Sequence, residues 1–100
     1  MIAALNARDV DLFVGCYAAE ATIQLGDGTV LARGHAGLRA RYGPLLADES
    51  APRIEVLQRI DVGSWVVQEE CVTGRAPEPE RHLAVYRLAD GLIAEERLLA

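Results

Sequence analysis

From Arg53 onward the chain alternates with a period of two, and no other feature constrains the fold as much. "RIEVLQRIDVG", "SWVVQEECVTG", "RHLAVYRLADG" and "LIAEERLLA" are rich in β-branched or alternating apolar residues, punctuated by glycine and by the Pro-containing "TGRAPEPER". Successive side chains on a strand point to opposite faces, so runs of this kind predict strands with one face on a core. Four of them joined by short turns predict an antiparallel meander. "LADGLI" predicts a type I turn followed by Gly91 in the left-handed conformation. That register opposes Tyr86 to Ala94 and Ala84 to Glu96, with all four on one sheet face.

The first half has a different period. Val10, Phe13, Val14 and Tyr17 recur at helical spacing behind Asp9, a predicted cap, and "MIAALN" before them forms about one turn of helix. "ATIQL" and "TVLARG" flank Gly26-Asp27-Gly28, a hairpin signal. Gly34 opens a helix with Leu38, Tyr42 and Leu45 on one face, and Pro44 kinks or ends it. Helices followed by a long meander predict an α+β domain whose helices cover one sheet face. The opposite face carries Trp65, Val67, Cys71, Leu83, Val85, Ile93 and Leu99 with nothing in the chain to cover it. A monomer seldom exposes such a patch, so a homodimer through the outer sheet face is expected.

Charge excludes some partners. The net charge is −5, and all ten basic residues are arginines scattered beside acids, a solvated mixed surface rather than a phosphate-binding stripe. No nucleic acid partner is expected. No apolar run approaches the ~20 residues of a membrane span, and "MIAALNARDVD" has no basic n-region. No membrane partner and a cytoplasmic location are therefore expected. Cys16 and Cys71 read as two buried thiols, and two Cys and two His at these spacings build no zinc site. No metal and no cofactor are expected.

The order "NARD", "YAAEAT", a glycine and tyrosine in the next helix, then "ADGLI", resembles the nuclear transport factor two-like superfamily, and especially its SnoaL-like and ketosteroid-isomerase-like members. The resemblance implies one cone-shaped α+β barrel over residues 1–100 with a shortened first helix, enclosing a mostly apolar pocket. The isomerase prototype uses an Asp base and a protonated Asp beside a Tyr. By resemblance the base position falls on Leu25 and the protonated acid on Ala84, while the oxyanion tyrosine's place falls at Met1. Two supporting tyrosines match, at Tyr17 and Tyr42.

The residues themselves offer another acid–base set. His82 lies two residues before Ala84 and faces the same side. Glu70 on the neighbouring strand can lie opposite it, sharing a face with Gln68, and Glu96 lies opposite Ala84. A histidine oriented by a carboxylate is the arrangement of general acid–base catalysis. The expected pocket comprises Tyr17, Gln24, Leu25, Tyr42, Gln68, Glu70, His82, Ala84, Tyr86 and Glu96. Three functions stay open. The first is a homodimeric pocket for a small, largely apolar or amphipathic molecule, without the isomerase carboxylates. The others are an isomerase, cyclase or dehydratase-like lyase using His82 with Glu70 or Glu96, and a structural dimerisation domain.

Overall fold

In the computed structural model, which describes residues 1–48 and 50–99, the chain opens on two short helices, α1 (Ile2–Asn6) and α2 (Val10–Gly15). The Asp9 carboxylate caps α2 by accepting from the Leu12 backbone N–H at 3.1 Å. Helices this short do not persist alone. They are held by burying Ala4, Leu5, Phe13 and Val14. Asn6 fixes the first one: its Nδ2 donates to the Ile54 carbonyl and its Oδ1 accepts from the Ile54 N–H, both at 2.8 Å. The periodicity predicts α2 through Tyr17, but the helix stops at Gly15, because the sheet takes the next backbone groups. The Cys16 carbonyl accepts from Ile93 N–H at 2.9 Å and Tyr17 pairs with Ile93. The Tyr17 side chain still ends inside, 1% exposed.

Tyr17 therefore begins β1 (Tyr17–Leu25), which turns at Gly26-Asp27-Gly28 into β2 (Val30–Arg33). The Asp27 carboxylate accepts from Thr29 N–H at 2.9 Å, and Gly28 takes φ 92°, open to glycine at little cost. Helix α3 (Gly34–Ala47) follows and runs past Pro44 rather than ending there. Buried Leu38 and Leu46 anchor it on either side of the proline, offsetting the lost hydrogen bond.

The meander is β3 (Arg53–Val62), β4 (Trp65–Thr73), β5 (Glu80–Ala89) and β6 (Leu92–Leu99). Ala100, the last residue of the predicted final strand, lies outside the described residues. The six strands form one sheet in the order β2-β1-β6-β5-β4-β3, with β1 and β6 parallel and the other pairs antiparallel. Three helices packed on this curled, unclosed sheet make an α+β cone. Among the described residues no helix is long and apolar enough to cross a membrane.

Three sequence expectations fail at the β5–β6 hairpin. Asp90 and Gly91 both adopt positive φ, 53° and 78°, and Ala89 pairs directly with Leu92. This is a two-residue turn rather than a type I turn with a trailing glycine. A bulge at Ala94 follows, between the pairs Leu88–Ile93 and Arg87–Glu95. Tyr86 consequently faces Glu96, not Ala94, and Ala84 faces Leu98, not Glu96. The extra residue also reverses the alternation before it, so Ile93 is a core residue, 8% exposed, and not part of the outer face.

Candidate functional site

The concave face of the sheet and the three helices enclose a cavity of about 370 Å³. Strand β5 contributes His82 and Tyr86 to it, four residues apart and so on one face. Ala84 lies between them in the strand, fully buried and outside the cavity lining. The β4–β5 register sets Glu70 opposite His82. The Glu70 carboxylate is 1% exposed and engaged on both oxygens. Oε1 lies 2.9 Å from His82 Nε2, and Oε2 accepts from the Tyr86 hydroxyl at 2.6 Å. A carboxylate buried this deeply is tolerated when its oxygens are hydrogen-bonded.

Glu96 is the second acid, 5% exposed and directly across from Tyr86. Its Oε1 accepts from the Tyr17 hydroxyl at 2.5 Å, and Oε2 has no hydrogen-bond partner among the described residues. Burial pushes its pKa up to about 7; the Tyr17 hydrogen bond opposes the shift and the nearby Glu70 charge adds to it. The phenols remain donors. Burial and then the Glu96 charge raise Tyr17 well above the usual tyrosine range. Burial, Glu96 and Glu70 do the same to Tyr86. Tyr42, raised to about 12 mainly by burial, shares an aromatic cluster with Tyr17 through Phe13, whose ring centroid lies 5.2 Å from Tyr17 and 4.9 Å from Tyr42.

Six of the ten residues expected from sequence line this cavity: Tyr17, Tyr42, Glu70, His82, Tyr86 and Glu96. Four do not. Gln24 follows Ile23, a core residue, and so points to the outer face, where its amide donates to Thr22 Oγ1. Leu25 ends β1 at the rim, 37% exposed and paired with Leu98. Gln68 and Ala84 face each other in the sheet outside the cavity lining, and Gln68 Oε1 is buried without a partner among the described residues. His35 bonds through Nε2 to the Tyr17 carbonyl at 2.8 Å and ties α3 to β1. Cys16 and Cys71 are both unpaired and half-buried.

The sequence reading missed Phe13, Ile54, Arg41 and Arg75 as lining residues. Helical spacing with Tyr17 was the signal for Phe13. Nothing local marks Arg41 or Arg75, which reach the cavity from α3 and from the β4–β5 connection.

An apolar cavity with two buried carboxylates, one held by a histidine and a tyrosine and the other raised by burial to about 7, can accept and donate protons in the same enclosed space.

Residues 1–96 match the family model of the SnoaL-like domain. No curated protein matches the chain in sequence. Among solved structures, an uncharacterised cystatin-fold protein from Novosphingobium aromaticivorans is 27% identical, with a TM-score of 0.86 over 99% of this chain and 91% of that one. The epoxide hydrolase/cyclase-like enzyme SalBIII, of pyran ring formation in the polyether salinomycin, is 20% identical, with a TM-score of 0.81 over 98% of this chain and 82% of that one. A computationally designed 17-OHP binder is 15% identical, with a TM-score of 0.79 over 96% of this chain and 82% of that one. The last two likenesses show a shared fold alone.

Proposed function

The chain belongs to the SnoaL-like domain family, and on that premise we propose that it is an acid–base enzyme, an isomerase, cyclase or dehydratase-like lyase, acting on a small, largely apolar molecule in its cavity. The observation that carries this reading is the pair of buried carboxylates, Glu70 and Glu96, on the wall of one apolar cavity. In the reaction Glu70 takes a proton from carbon next to a carbonyl, with His82 and Tyr86 positioning it. Glu96 delivers a proton to the oxygen on which charge develops, while Tyr17 orients it. Neither acid stands where the isomerase's would. Those positions are Leu25 and Ala84, so ketosteroid isomerisation is not the proposed reaction.

The test is carbon–deuterium exchange in heavy water, followed by proton NMR on a panel of small cyclic ketones. Wild-type protein should exchange the α-hydrogens of at least one panel member above the buffer rate. Glu70→Gln should slow that exchange about a hundredfold. If panel members bind but none exchanges, the acid–base reading fails. A second reading would then stand, binding without turnover, which the apolar residues at Leu25 and Ala84 favour and which the designed binder on this fold illustrates.

We also propose that the domain works as a homodimer through the outer sheet face. Trp65, 43% exposed, and Leu83, 41% exposed, support this together with Val67, Val85 and Leu99. Strand β3 extends the patch, since Ile60 and Val62 pair with Val67 and Trp65 and are largely exposed. Val85 sits between Val67 and Arg97 across the strands. Val85→Arg would bury an unpaired charge beside Arg97 in the contact. Sedimentation at micromolar concentration should show a dimer for wild type and a monomer for the variant; a monomeric wild type contradicts the proposal.

A further inference from the structure

The cavity is electrically lopsided. Glu70 and Glu96 lie deep in it, whereas two solvent-exposed guanidinium groups, Arg41 from α3 and Arg75 from the β4–β5 connection, line its opening. Most arginines of this acidic chain are committed to carboxylates: Arg39 to Asp11, Arg59 to Asp61, Arg81 to Glu69, and Arg87 and Arg97 to Glu95. Arg41 has no ion-pair partner among the described residues. Its guanidinium carbon lies 5.9 Å from the Tyr42 ring centroid, so the ring holds it at the mouth. Arg75 gives only Nε to Glu80, at 2.8 Å. Arg41, Tyr42 and Arg75 all line this cavity, and both charges act on the Tyr42 hydroxyl. Arg8, Arg33 and Arg53 are also outside ion pairs, but none of them lines this cavity.

We propose that the ligand of this cavity is an amphipathic monocarboxylic acid, its apolar body against Phe13 and Leu98 and its carboxylate at the mouth on Arg41 and Arg75. The inference rests on reading the cavity as the site of binding. A planar guanidinium with an unused pair of N–H groups matches a carboxylate. The two buried acids repel an anion from the floor and so set the ligand's direction: charged group outward, reacting carbon inward. They also disfavour a dianion such as a phosphate monoester, which would feel that repulsion twice. At roughly 30 Å³ for each water-sized group, the cavity accommodates about a dozen non-hydrogen atoms.

Phenylbutanoate and its neutral isostere phenylbutanamide test the proposal, with binding read from the NMR signals of the Tyr17 and Tyr42 rings. Wild type should bind the carboxylate about fivefold more tightly than the amide, a preference limited by water at the mouth. Arg41→Gln, an exposed substitution, should remove most of that preference by weakening the carboxylate far more than the amide. Equal binding of the two probes, or a preference undiminished in Arg41→Gln, overturns the carboxylate proposal and leaves the cavity as a binding site. If neither probe perturbs the tyrosines, the cavity reading itself fails, and this inference with it.

Discussion

Phe13→Ala should cost the domain about 3–5 kcal/mol of stability, the loss typical of truncating a buried phenylalanine. Phe13 is 1% exposed and its ring is in contact with both Tyr17 and Tyr42. Helix α2 is only six residues long and owes its persistence to this side chain and Val14. Against a total of about 5–15 kcal/mol for a domain of ordinary stability, the change is large. Because Phe13 also lines the cavity, the substitution adds to existing empty space and loosens the two tyrosines beside it. Phe13→Leu, closer in volume, should retain most of the stability. Urea denaturation checks both variants; a loss below about 1 kcal/mol for the alanine variant would mean that the aromatic cluster does not anchor the helix.

Glu96→Gln should remove a component of the pH dependence on the order of 3 kcal/mol. Burial raises the folded-state pKa of Glu96 from its ordinary 4.5 to about 7. Below 4.5 the carboxyl is neutral in both folded and unfolded chains and the folded state bears no penalty. As pH rises through the interval to 7, the unfolded chain releases the proton while the folded one retains it, so stability falls. The isosteric amide does not titrate and keeps an oxygen for Tyr17. Surface carboxylates act in the opposite sense: Glu69, Glu80 and Glu95, held low by arginine hydrogen bonds, stabilise at neutral pH and lose that contribution in acid. They are unchanged in the variant, so the difference between the two stability profiles isolates Glu96. It should be small near pH 4 and favour Glu96→Gln increasingly toward pH 8. Urea midpoints across that range measure it, and a flat difference would contradict a buried, raised carboxyl.

Local chemistry explains why most of this fold was legible in the sequence. The meander follows from period-two alternation between glycines, and α2 from Asp9 and the spacing of Phe13 and Val14. What failed to show depends on partners distant in the chain. The helix around Phe13 ends before Tyr17 because Ile93 claims its backbone. The bulge at Ala94 moves Ile93 inward and changes the partners of Tyr86 and Ala84, and no residue type near it announces an extra residue. Proline at position 44 signals an end to α3 only if tertiary anchoring by Leu38 and Leu46 is left out. At the site, Glu70, His82 and Tyr86 could be read together because an antiparallel register with a short connection brings them there. Glu96 was found on the right face from a wrong pairing, since a two-residue slip preserves facing. Gln24 could not share the site with Leu25 once strand alternation is applied strictly. Arg41 and Arg75 come to one cavity only when α3 is laid over the sheet, and no pattern in one segment points to either.

The account turns on Glu96 being able to give up a proton at neutral pH inside the cavity. Titration of its side-chain carboxyl carbon by NMR, with the signal assigned through Glu96→Gln, tests this most directly. The midpoint should fall near 7, and Tyr17→Phe, which removes the hydrogen bond that holds the value down, should raise it further. A midpoint at the ordinary glutamate value of 4.5, unmoved by Tyr17→Phe, would mean that Glu96 is a solvated carboxylate with no proton to deliver, and would contradict the acid–base account.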